Sequence, residues 1–161
     1  MSTTNIILVL VIVVLGWLIF KNGKQQKQAA AGNRIEAAEF LAQNAQKSGV
    51  TTTDSGLQYE VLNKGDGTEH PSATDKVTVH YHGTLLDGSV FDSSVVRGES
   101  ISFGLNQVIP GWTEGVQLMT VGDKFRFFIG PDLGYGDRAA GKIAPGSLLI
   151  FEVELLAIAG K

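Results

Sequence analysis

A chain of 161 residues with a formal net charge of −3 and no cysteine has room for one ordinary domain with a real core. The missing cysteine excludes disulfides, thiolate catalysis and Cys-type zinc sites. Three of the 13 basic residues (Lys21, Lys24 and Lys27) and none of the 16 acids fall in residues 1–32. The remainder is therefore acidic, without the basic stripe that nucleic acid requires.

In chain order, Ile6 to Phe20 is apolar throughout, and no charge occurs from Thr3 to Phe20. At about 1.5 Å per residue, such a helix just spans a bilayer. No basic residue precedes the run, and three lysines follow it, which favours a retained anchor over a cleaved signal peptide. We therefore expect residues 1–20 to be a transmembrane anchor in a bacterial inner membrane. The lysines would place the domain on the cytoplasmic side, with the periplasmic side left open. Residues 21–49 read as a polar, flexible tether and then a short helix, capped by Asn33 with Glu36 three residues on and stopped by Gly49. Two roles suit that helix, a dimerisation surface or a linker resting on the domain, and its shortness and alanine content favour the linker.

Residues 50–161 form the expected domain. Gly56 to Leu62 reads as a strand, and 64–74 as a Gly/Asp/Pro loop. Val77, Val79 and Tyr81 alternate with Thr78, His80 and His82. Asp87-Gly88 then predicts a type I′ turn leading back through Ser89 to Phe91. Ile101 to Gly104 is a short strand. Pro110 suits the first turn of a helix on which Trp112, Val116 and Met119 share one face. Lys124 to Ile129 alternates cleanly, as do Leu149, Phe151, Val153 and Leu155. The class is α+β, an antiparallel sheet packed on one short helix.

The blocks VTVHYHGTL, FDSS, VIPGWTEGVQLM, PDLGYG and LLIFEVELL occur in that order. Together they resemble the FKBP-type peptidyl-prolyl cis-trans isomerases. SGLQYEVL, upstream, is similar to the bacterial branch that includes the macrophage-infectivity-potentiator proteins. The resemblance implies a twisted sheet wrapped around one helix, with an aromatic pocket between them. It implies Trp112 as the pocket floor and Tyr81, Phe91, Val108, Ile109 and Phe151 as walls. Asp92 would sit at the edge with Arg97 as its partner, although on a regular strand Asp92 points away from Phe91. The Tyr135 hydroxyl and the Ile109 N–H would donate to the bound peptide. Ile101, Phe103, Gln107 and Ile143 would complete the substrate contacts, while Phe103 and Phe127 read either as lining or as core. Departures from the family pattern fall at Ile101, at Gln107 and in the loop Asp137 to Pro145, and concern specificity.

Neither a cofactor nor a metal is expected. His80, His82 and His70 read as solvated histidines, and Asp66, Glu69 and Asp75 lack an EF-hand pattern. The resemblance implies catalysed rotation about X-Pro bonds of polypeptides during folding, and binding of rapamycin-class macrolides. The rival is a non-catalytic, membrane-tethered peptide-binding chaperone or scaffold using the same pocket.

Overall fold

The computed structural model describes the backbone of residues 3–160 and the side chains of residue 21 and residues 23–160. Helix α1 (Thr3–Asn44) runs without a break, which corrects the expected tether over 21–32 and the separate helix starting at Asn33. The segment is rich in Lys, Gln and Ala, all good helix formers, and its interior glycines, Gly23 and Gly32, cost only about 1 kcal/mol each. Asn33 does not cap: its side-chain amide donates to the Pro145 carbonyl at 2.8 Å. The expected membrane anchor over 1–20 lies on residues whose side chains are outside the described set. Among the described residues, no helix is long and apolar enough to cross a membrane.

The C-terminal half of α1 rests on the domain. Ala30 and Ala37 are buried, and the Phe40 ring lies 5.8 Å from that of Phe128. The Asn44 amide donates to Gln58 Oε1 at 2.9 Å, and Gln58 Nε2 donates to the Leu41 carbonyl at 2.9 Å.

Seven antiparallel strands follow: β1 (Val50–Thr52), β2 (Gln58–Asn63), β3 (Lys76–Thr84), β4 (Val90–Ser93), β5 (Ile101–Gly104), β6 (Lys124–Ile129) and β7 (Leu149–Ile158). The sheet order is β1-β2-β6-β7-β3-β4. Strand β3 is the hub: β7 pairs along one edge, while β5 and β4 share the other, β5 on the first half and β4 on the second. The strand expected over Gly56 to Leu62 begins later. Gly56 has φ +87° and closes the turn between β1 and β2, its N–H donating to the Thr53 carbonyl.

The β3–β4 turn also differs from expectation. Only Gly88 has positive φ. The Gly88 N–H donates to the Leu85 carbonyl and the Leu85 N–H to the Ser89 carbonyl, the three-residue loop that ends in a left-handed glycine rather than the two-residue type I′ turn. Asp87 therefore avoids the costly positive-φ region, and its carboxylate accepts from the Ser89 N–H at 2.9 Å.

Helix α3 (Pro110–Val116) lies on the concave face of the sheet, with Pro110 in its first turn. Trp112 and Val116 share its buried face; Met119, expected on the same face, is also buried but lies three residues past the end of the helix. The helix comes this close because Gly111 and Gly115 face the sheet. A Cβ at Gly115 would sit 2.7 Å from the Phe127 ring, and one at Gly111 2.7 Å from Ile129. Phe127 is consequently solid core and not pocket lining, which decides between its two readings.

Beyond α3, the buried carboxylate of Asp123 ties two loops together. It accepts from the N–H of Thr120 at 2.8 Å and of Gly65 at 2.7 Å. The Thr120 hydroxyl, at 3.1 Å, and Lys64 Nζ, at 2.7 Å, complete its partners.

Candidate active site

Between α3 and the curled sheet lies a cavity of about 580 Å³. Strand β3 brings Tyr81 to it and β7 brings Phe151, whose register partner is Gly83. A side chain at position 83 would collide with the rings of Phe91 and Phe151, at 2.6 and 2.9 Å. Glycine there lets those rings meet edge to face with centroids 5.2 Å apart.

Trp112 forms the base. Its indole is T-shaped against Tyr81, at 5.4 Å, and against Phe151, at 5.1 Å, with Phe103 tilted at 5.4 Å. Three rings thus fix one indole from three sides, the geometry that the aromatic quadrupole favours. Among the described residues, the buried indole N–H has no hydrogen-bond partner.

The remaining lining comes from short connections. Ile101 and Phe103 come from β5, Gln107 and Val108 from the turn after it, and Ile109 from the residue that enters α3. Tyr135, 42% exposed, and the buried Ile143 come from the loop between β6 and β7.

Asp92 and Phe91 both reach the cavity, although they are neighbours on one strand. A bulge makes this possible. Asp92 pairs with Gly83 and Val90 with Thr84, so Phe91 is the extra residue and the strict alternation of faces fails there. The expectation that Asp92 points away from Phe91 on a regular strand is corrected by that irregularity.

Asp92 accepts hydrogen bonds from the Tyr81 hydroxyl and from Arg97. Arg97 also donates to the Tyr81 hydroxyl at 3.0 Å and lies over the Tyr81 ring at 5.7 Å. Arg97 itself stands beside the cavity lining and completes the rim through these contacts. Burial alone would raise the Asp92 carboxyl, but the bonds from Tyr81 and Arg97 outweigh it and hold the group below its usual range. Burial, and donation to Asp92, push the Tyr81 hydroxyl upward. At neutral pH the cluster is a carboxylate, a phenol and a guanidinium, with every charge paired.

Two serines of FDSS, assigned no role in the sequence reading, hold this rim in place. Ser93 Oγ caps the one-turn helix α2 (Ser94–Arg97) by accepting from the Val96 N–H at 3.1 Å. Ser94 Oγ accepts from the Tyr81 N–H at 2.8 Å. The cap sets the direction from which Arg97 returns to Asp92. A serine two residues before a Val-Val-Arg-Gly run was the available signal, a helix cap and a glycine stop with only four residues between them. His80 Nδ1 lies 3.0 Å from Ser94 Oγ, and His82 Nδ1 2.9 Å from Ser93 Oγ. Among the described residues, no group of three or more His, Cys, Asp or Glu is arranged around a metal position.

A curled antiparallel sheet packed on helix α3, with this aromatic cup between them, is an FKBP fold, and the family comparisons agree. Residues 67–156 match the model for the FKBP-type peptidyl-prolyl cis-trans isomerase, and residues 18–61 match that for the domain amino-terminal to it. The chain belongs to the FKBP-type peptidyl-prolyl cis-trans isomerase family.

Among individual relatives, the FKBP-type peptidyl-prolyl cis-trans isomerase FkpA of Aeromonas hydrophila is 59% identical, over 80% of this chain and 48% of its own length. The outer membrane protein MIP of Legionella longbeachae is 41% identical, over 88% of this chain and 60% of that protein. The crystal structure of FkpA from Escherichia coli superposes with a TM-score of 0.89 at 39% identity, covering 98% of this chain and 73% of that one. The chain spans about half to three fifths of the length of these two curated relatives.

Proposed function

We propose that this protein is a peptidyl-prolyl cis-trans isomerase acting on X-Pro bonds of polypeptide chains. The observation that carries the reading is the cup itself: an indole base fixed by three rings, with one paired carboxylate at the rim. Rotation about an X-Pro bond breaks no covalent bond. It needs the amide to lose its double-bond character against a barrier of about 18–20 kcal/mol, and uncatalysed it takes tens to hundreds of seconds.

A proline ring on the indole of Trp112 would place its amide among Tyr81, Phe91 and Phe151. The planar amide is the more polar form, so an apolar site favours the twisted one over it. The Ile109 N–H and the Tyr135 hydroxyl would hold the carbonyls on either side. Asp92, kept charged by Arg97, would position the peptide at the rim.

The same cup suits macrolides of the rapamycin class, whose rigid, apolar rings would use the same floor. For the chain as a whole we propose a membrane tether through residues 1–20, with the domain on the cytoplasmic side.

Turnover of an Ala-Leu-Pro-Phe peptide by the full chain tests the activity. Trp112→Leu should lower kcat/KM by about tenfold or more, since it removes the base of the cup. A wild-type chain that binds the peptide without speeding its isomerisation would instead be a peptide-binding chaperone.

A further inference from the structure

The loop from Gly130 to Gly146 supplies Tyr135 and Ile143 to the cavity, yet it leans on α1. Arg34 Nη1 donates to Asp132 Oδ1 at 2.8 Å, and Arg34 Nε to Asp137 Oδ1 at 2.6 Å. Those two carboxylates bracket Tyr135 in the sequence. One turn of helix thus grips the limb of the loop that carries the tyrosine.

The other limb is held as firmly. Asn33 Nδ2 donates to the Pro145 carbonyl at 2.8 Å. Gly146, with φ +75°, lies so close that a Cβ there would strike the carbonyl oxygen of Ala30, and Ala30 is 4% exposed. The Gly146 N–H meanwhile donates to the Gly136 carbonyl at 2.8 Å, closing the neck between the limbs. Inside the loop, Ala140 and Ile143 exchange backbone hydrogen bonds. The loop is stiff in itself, and its attitude toward the cavity is set at the points where α1 meets it.

We propose that Asn33 and Arg34 are positioning residues for Tyr135 and Ile143, so that α1 fixes the rim of the cavity without touching the substrate. Each of the two Arg34 ion pairs involves an exposed carboxylate and is weak alone. Shared by one guanidinium, and joined to the Asn33 bond and the backbone contact at Gly146, they resist tilting of the whole loop. Loss of the grip raises KM, because the rim opens, and leaves kcat nearly unchanged, because Trp112, Tyr81 and Asp92 stay where they are.

The test uses Arg34→Ala, Asn33→Ala, their double variant and Arg34→Lys in the full chain. It has two readouts, the second independent of the proposed isomerase activity on which the first rests. For the Ala-Leu-Pro-Phe peptide, KM should rise roughly threefold to tenfold in the double variant while kcat stays within about twofold, with Arg34→Lys intermediate. Trypsin nicking after Arg138 and Lys142, both within the loop, should accelerate in the same order, with fragments assigned by mass and global unfolding followed in parallel.

Unchanged nicking in the double variant overturns the proposal. So does a fall in kcat at constant KM, which would place these residues in the chemistry instead. If the wild-type chain turns over no peptide, the isomerase reading fails, and the nicking series still decides whether α1 holds the loop.

Discussion

Asp92 and Asp123 are both carboxylates held below their usual pKa range by hydrogen bonds that overcome burial, yet they do different work. Asp123 is fully buried, and its four donors come from Lys64, Gly65 and Thr120 in two loops. It fastens the turn before β6 to the turn after β2. Asp92 is nearly half exposed, and its partners are an exposed arginine and a phenol that faces an open cavity. A perturbed carboxylate therefore does not by itself mark a functional site. What separates the two is where the spare surface of the group points, into the fold or into a cup that a ligand can enter.

That contrast can be broken by substitution. The largest effect is expected at Asp123→Ala, which strands the buried Thr120 N–H and should destabilise the protein by about 2–4 kcal/mol in urea unfolding. Asp92→Val should move stability by less than about 1 kcal/mol but lower kcat/KM about tenfold, near 1.4 kcal/mol. A variant that instead unfolds would make Asp92 a second Asp123. Smaller still, Tyr81→Phe leaves the Asp92–Arg97 pair intact and should cost roughly threefold in kcat/KM.

The pH profiles sharpen the comparison further. Because the folded-state pKa of Asp123 is depressed, its stabilisation is complete above the unfolded carboxyl value of about 3.9 and disappears as pH falls through the lower folded value. Asp123→Asn should flatten the acid limb of the stability curve measured by denaturant titration. Asp92, likewise depressed, should leave kcat/KM level between about pH 5 and 8.

Where side chains alternate over a half-buried surface, the sequence was enough to place the element. Lys124 to Ile129 and Ile101 to Gly104 are found with the expected ends, and Trp112 and Val116 share the buried face of their helix, which stops short of Met119. All the anticipated pocket residues except Arg97 and Phe127 line the cavity, since the blocks that carry the family resemblance are the segments converging there. What escaped has a common cause in features that lack a hydrophobic period. Strand β1, an exposed Val-Thr-Thr edge, shows no alternation of burial. The bulge at Phe91 depends on pairing with β3, which no local pattern encodes. The continuity of α1 past Gly32 comes from helix propensity and from docking against residues about a hundred positions away.

That continuity has a mechanical consequence. Helix α1 is 42 residues long, which at about 1.5 Å per residue makes a rod about 63 Å in length. A coil of the same size would let the domain swing freely and sample a wide volume. A rod gripped at one end by Asn33, Arg34 and Gln58 transmits direction instead. Whatever holds its far end also dictates which way the cup opens, and how far from that hold it stands.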